Sequence, residues 1–263
     1  MEAYLRMRER AAVLAVAVCY FSLACSGEGP APGDATDEDL SHPLPAAIPA
    51  FPDAGAIQGR VVFQGEEVPR STLVRNTTDP HECGEVQSLR NILVSRNHGI
   101  VNTVISLANV SLPPDYEVPT STLVLDNRGC QFEPHVAVLT TGSSIATTNS
   151  DAITHTVHLY GLFNLNVALG PGQSKSVRRL DRPGWYIVKC DLHGWMQAYL
   201  RVDEHPFHTV SSSDGSFRIP NLPAGSYRLE AWHEYFGREE REIVVQAGET
   251  SALTIVYKET TTK

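Results

Sequence analysis

From Gly55 onward, no hydrophobic period in this chain lasts long enough to make a helix. Apolar runs of about four to eight residues are cut by Gly, Pro, Asn, Asp and Ser clusters, the pattern of short strands joined by turns. We expect strands at 56–63, 91–95, 101–107, 121–125, 136–140, 144–147, 156–159, 175–177, 184–189 and 198–202. They continue at 208–211, 216–219, 225–232, 238–245 and 251–257. At most a short helix fits near 161–165. Many short, closely spaced strands specify an all-β fold made of β-sandwiches. The 263 residues have room for one to two domains, and 42% hydrophobic against 19% charged residues supplies enough apolar surface to exclude wholesale disorder. The stretch 203–207 reads as a boundary. We therefore expect one sandwich at 55–203, a second at 204–258 and a disordered tail at 259–263.

The first 54 residues read as an address and a tether. Arg6, Arg8 and Arg10 precede an apolar run from Ala11 to Ala24, the pattern of an export signal at 1–24, and the run is too short to span a bilayer as a mature helix. It ends in Leu23-Ala24-Cys25-Ser26-Gly27, which resembles a bacterial lipobox with Cys25 as the lipidated residue. Ser22 stands where that motif usually has Leu, so cleavage at a nearby non-lipid site stays open. Residues 25–54, rich in Gly, Pro, Ala, Asp and Glu, read as a flexible linker. No later run is long enough to cross a membrane. Loss of 1–24 removes three Arg and two Glu from 21 basic and 30 acidic residues, leaving 18 and 28 and a formal charge of -10. That acidity argues against nucleic acid as a partner.

Of the five cysteines, Cys19 leaves with the signal and Cys25 takes the lipid. Three then remain in an oxidising compartment, enough for one disulfide and one odd thiol. We pair Cys83 with Cys130 and leave Cys190 free, with an inert buried thiol as the bland alternative for Cys190.

The neighbours of Cys190 carry the chemistry. Cys190-Asp191-Leu192-His193-Gly194-Trp195-Met196 spaces Cys, His and Met so that one tight turn between two strands can bring all three together. Thiolate, imidazole and thioether form a soft, asymmetric ligand set that suits copper cycling between Cu(I) and Cu(II). A fourth ligand must come from elsewhere, and the segment 149–158 offers His155 at the start of a strand. Two His, one Cys and a weak axial Met make the blue-copper electron-transfer set. Three residues from His155, His158 points to the opposite face of an extended strand and reads as structural. His135 could join His81 or Cys83 in a second metal site, with an ordinary His beside a disulfide as the alternative.

Residues 121–203 resemble the cupredoxins, plastocyanin and more closely amicyanin and pseudoazurin. The resemblance lies in Asn149, His155-Thr156-Val157-His158, Pro183-Gly184-Trp185-Tyr186 and the Cys190, His193, Met196 loop. It implies a Greek-key sandwich holding one type 1 copper through His155, Cys190, His193 and Met196. It also implies that His193 is the solvent-edge ligand and electron portal. Thr156 stands where the family often has Asn, which leaves open the group that hydrogen-bonds the thiolate. Residues 214–232 resemble the carboxypeptidase regulatory-like domain, a small transthyretin-like β-sandwich that brings no catalytic residues. Phe217, Ile219, Leu222, Tyr227, Leu229 and Trp232 are its expected core.

The ligand loop has one Cys, whereas a binuclear copper centre needs two, and no His adjoins Cys190 to wire it to a catalytic metal. The expectation is an exported blue copper protein and not an enzyme. It would pass single electrons to other redox proteins in the periplasm or at the cell surface, anchored to a membrane by lipid. The alternative is a non-redox copper-binding or cell-surface scaffold.

Overall fold

In the computed structural model, which describes residues 51–161 and 164–259, period-2 alternation becomes eighteen strands and one helical turn. In chain order these are β1 (Gly55–Gln64), β2 (Leu73–Arg75), α1 (Pro80–Cys83), β3 (Val86–Ser88), β4 (Val104–Leu107), β5 (Thr122–Arg128) and β6 (Gln131–Glu133). Next come β7 (Val136–Thr140), β8 (Ser144–Asn149), β9 (His155–Tyr160), β10 (Leu165–Leu169), β11 (Ser174–Arg179), β12 (Gly184–Lys189) and β13 (Gln197–Asp203). The last are β14 (His208–Val210), β15 (Ser216–Leu222), β16 (Gly225–His233), β17 (Gly237–Val245) and β18 (Thr250–Lys258). The expected export signal, the lipid site Cys25 and most of the linker lie outside the described residues, as do the last four residues of the tail. The linker is tied down before its expected end, because Phe51 stacks on Tyr116 with ring centroids 5.2 Å apart.

The first sandwich packs the sheet β10-β9-β12-β13-β7 on the sheet β11-β8-β5-β6. Alternation points Val157, Leu159, Tyr186, Val188, Ala198, Leu200 and Val202 into one core from the first sheet, against Leu123, Leu125 and Ile145 from the second. The second sandwich packs β15-β1-β18 on β14-β4-β16-β17 around Ile57, Val61, Ile105, Ile219, Leu229 and Ile255. The structure departs from the expected division at this point. β1 pairs in parallel with β18 from Ala56 to Gln64, and β4 pairs with β14 and β16. Residues 55–64 and 104–107 thus belong to the sandwich expected only at 204–258. The last strands leave open edges that the chain's first strands fill, and unpaired backbone N–H and C=O groups are costly. Gly215 makes this closure possible. At φ +83, a side chain there would meet the Val61 carbonyl oxygen at 2.5 Å.

Phe217, Ile219, Leu222, Tyr227 and Leu229 lie in the second core as expected, but Trp232 does not. It packs between the sandwiches on Trp185 and Tyr199, with centroids 4.1 and 5.1 Å away. The expected boundary at 203–207 is a pinned corner. Asp203 is 3% exposed and accepts from Ser106 at 2.7 Å, from Arg201 at 2.6 Å and from His208 at 3.1 Å. Burial alone would raise this carboxyl. The His208 hydrogen bond and charge, with Arg201 and Ser106, overcome burial and hold it well below the usual carboxylate range.

At the end of β16, His233 is 1% exposed, and burial, the largest cause, lowers its pKa to about 4. A folded pKa below the unfolded value means that the unfolded chain binds the proton first. Stability is therefore fully present above the ordinary histidine range and is lost as pH falls through about 6.5 to 4, by about 3 kcal/mol. The N–H groups of Tyr235 and Phe236 donate to His233 Nδ1 at 3.2 and 3.4 Å, and an Asn Oδ1 can stand in as acceptor. Denaturant unfolding across this pH window should show the drop, and His233→Asn should flatten it.

Candidate metal centre

Three elements deliver the candidate ligands. On β9, His155, Val157 and Leu159 face the core, so His155 enters the sandwich at the strand's first residue. The loop before it is locked by Asn149, whose side-chain amide donates to the carbonyls of Ile153 at 2.7 Å and Leu169 at 2.9 Å. β12 ends at Lys189, opposite Gln197 at the start of β13, and the six residues after Cys190 make the turn. That turn is closed from within. The Cys190 N–H donates to Met196 O at 3.3 Å, and the Met196 N–H donates to His193 O at 2.9 Å.

Three donor atoms converge there. His155 Nδ1 and His193 Nδ1 are 3.0 Å apart, and Cys190 Sγ lies 3.5 Å from the second and 4.0 Å from the first. The point equidistant from all three lies about 2.1 Å from each, within the roughly 2.0–2.3 Å range of metal–imidazole and metal–thiolate bonds. The residues present therefore fit a soft metal ion. All three are buried, the two imidazoles fully. Met196 is buried in the same turn, and its backbone carries both hydrogen bonds that close it.

The surroundings orient each donor. The Thr156 N–H points at Cys190 Sγ from 3.3 Å, and its hydroxyl lies 3.6 Å from the same sulfur. Thr156 is thus the residue that faces the sulfur. The Thr156 hydroxyl oxygen in turn accepts the Asp191 N–H at 2.7 Å. His155 Nε2 meets Asp151 Oδ2 at 2.9 Å, which leaves Nδ1 for the centre. The Asp151 carboxylate also accepts from the N–H groups of Gly129 at 2.6 Å and Cys130 at 2.8 Å. Those two residues turn the β5–β6 hairpin at φ +60 and +57, the two-residue turn that matches strand twist. Burial lowers the His155 pKa, the nearby His193 charge adds to this, and Asp151 opposes it. The shift favours the neutral form, the one that can ligate.

The expectation of a solvent-edge ligand fails at His193, which is fully buried. Its Nε2 lies 3.1 Å from Asp79 Oδ2, and the Trp195 ring packs beside it with centroids 5.1 Å apart. Asp79 opens α1, whose Cys83 is joined to Cys130 by a disulfide. Neither Asp79 nor Asp151 was singled out in the sequence. Asp151 had a weak local signal, four residues before His155, whereas Asp79 is 114 residues from its partner.

The other histidines go elsewhere. His135 pairs with Glu234 across the two sandwiches, His81 is exposed, and Cys83 is held in the disulfide, so these residues do not gather into a second metal site. His158 faces away from His155 and hydrogen-bonds Asp191 at 2.9 Å and Asn164 at 2.8 Å. Among the described residues one further donor trio, Cys130, Asp151 and His155, comes together, but its sulfur is spent in the disulfide.

Comparison with known proteins gives one family match, to the carboxypeptidase regulatory-like domain over residues 197–258. The match opens on β13, which hydrogen-bonds to β12 and β7 of the first sandwich, and it omits β1 and β4 of the second. We take the hydrogen-bonded sheets as the truer boundary. No curated protein matches the chain. The chain is also similar to solved structures, three of which follow. A purple cupredoxin from Nitrosopumilus maritimus shares 18% identity at TM-score 0.27, covering 31% of this chain and 99% of that one. A mutant of amicyanin in its Cu(I) form shares 20% at 0.29, covering 38% and 98%. A copper-containing nitrite reductase from Thermus scotoductus shares 20% at 0.29, covering 36% of this chain and 25% of its own length.

Proposed function

We propose that this chain is an exported one-electron carrier with a single copper held by His155, Cys190, His193 and Met196. The observation that carries the reading is the convergence of two imidazole nitrogens and one sulfur, all buried, at metal-bonding distance from a common point. Bound copper supplies a Cu(II)/Cu(I) couple. The protein supplies everything that keeps the couple fast. Asp151 and Asp79 hold both rings with Nδ1 turned inward. Thr156 directs an N–H at the sulfur from 3.3 Å, which fixes the sulfur's position. The strands bind the loop on both sides, so the ligands need not rearrange with charge. Burial of the donors favours electron transfer over chemistry on a substrate, which needs an open position.

The Cys83–Cys130 disulfide supports an oxidising compartment, in keeping with export and a lipid anchor at Cys25. The acidic balance favours basic redox partners. The cover over His193 gives weight to a second reading, a protein that holds copper without turnover. The full chain loaded with Cu(II) decides between them. We expect an intense thiolate-to-copper band, narrow parallel hyperfine splitting and a reversible one-electron wave. A pale tetragonal spectrum sinks the carrier reading, and a blue site without a reversible wave favours the second.

A further inference from the structure

We infer that Asp79 is a positioning residue that also roofs the centre. Its carboxylate fixes the His193 ring and closes the imidazole edge through which that ligand would otherwise meet solvent and partners. The inference rests on the copper reading above.

The geometry is specific. Asp79 is about half exposed while the imidazole it touches is fully buried, so at this edge the molecule presents a carboxylate and not a ring. With the Nε2–H donating to Asp79 at 3.1 Å, the His193 tautomer leaves Nδ1 free to face the other donors. Asp79 is held to this task by its backbone. Pro80 disfavours the right-handed helical region at the residue before it, and Asp79 sits at φ +50, a region Asp tolerates. Its carbonyl accepts the N–H groups of Glu82 at 3.1 Å and Cys83 at 2.9 Å. The neighbouring Asn76 is 4% exposed, and it ties across the turn to Gly84 O through its side-chain amide and to Glu85 O through its N–H, both at 2.8 Å.

The disulfide then fastens this turn to Cys130. The Cys130 carbonyl accepts the Trp195 indole N–H at 2.9 Å, and its N–H holds Asp151. One two-residue turn therefore anchors the carboxylates behind both imidazoles. A carboxylate behind a ligating imidazole strengthens it as a donor and favours the more highly charged metal state.

The test uses the full chain with Cu(II) as the only added ligand. Asp79→Asn keeps the shape and removes the charge, and Asp79→Ala removes the roof. Both variants should keep the thiolate band and raise the reduction potential. Asp79→Ala should also lower Cu(II) affinity about 10- to 100-fold and increase copper-induced relaxation of water protons. Asp79→Glu should bring the potential back towards that of the unmodified chain. A band with potential, affinity and water relaxation all unchanged in both variants makes Asp79 an ordinary surface carboxylate and overturns the inference. If Asp79→Ala does not fold, the potential of Asp79→Asn alone decides. Absence of the band from the unmodified chain overturns the copper reading and this inference together.

Discussion

Cys190→Ser should abolish the intense visible band of the copper-loaded chain and weaken copper binding by more than the roughly 10- to 100-fold typical of outer-shell changes. Cys190 supplies the only sulfur in the converging trio, at 3.5 and 4.0 Å from the two ring nitrogens. A serine hydroxyl stays protonated near neutral pH, gives no thiolate charge transfer, and is a hard donor where Cu(I) prefers a soft one. The fold should survive. Cys190 is 4% exposed, and the smaller serine oxygen can still accept the Thr156 N–H that now meets the sulfur at 3.3 Å. Absorbance and EPR at equal copper load, with an unfolding curve as the control, make the measurement. A band that persists in a folded Cys190→Ser chain removes Cys190 from the centre and the copper reading with it.

Removing the Cys83–Cys130 disulfide by the double change Cys83→Ser and Cys130→Ser should cost about 4 kcal/mol. That is the loop-entropy value for a bridge spanning 47 residues. For a chain of this size it corresponds to a fall in the thermal midpoint of about 10 °C. The penalty should be felt at the centre as well. The bridge joins the turn bearing Asp79 to the hairpin whose N–H groups hold Asp151. We expect the double variant to bind Cu(II) more weakly than the unmodified chain, in addition to its lower stability. Calorimetry and a copper titration check both. Unchanged copper affinity in a destabilised but folded variant would separate the disulfide from the site.

Much of the centre was legible because three of its candidate ligands sit within seven residues. A turn between two strands brings such neighbours together whatever the rest of the chain does, and Cys190 and His193 do meet. His155 was legible because an Asn/Ser/Asp loop precedes a clean alternation, and alternation alone decides which residues of β9 face inward. β7 and β12 run over the residues expected of them. Three-residue β2, β3 and β6 were not foreseen, since runs that short carry no period. The structure also makes a strand of Leu165–Leu169, where at most a helix end was expected.

The sequence by itself determined the strand-rich class and the donor types offered by the 190–196 turn, both of which follow from local composition and spacing. Tertiary structure alone decided which strand completes which sheet and what stands behind each ligand. Nothing near Ala56 says that it will pair with Thr250, and nothing near Asp79 says that it will reach His193. Pairing across 194 residues is chosen by open sheet edges, and the partner of a buried imidazole by the cost of leaving its second nitrogen unsatisfied. Both are properties of the closed molecule, so the expected solvent portal at His193 became a ring held beneath a carboxylate.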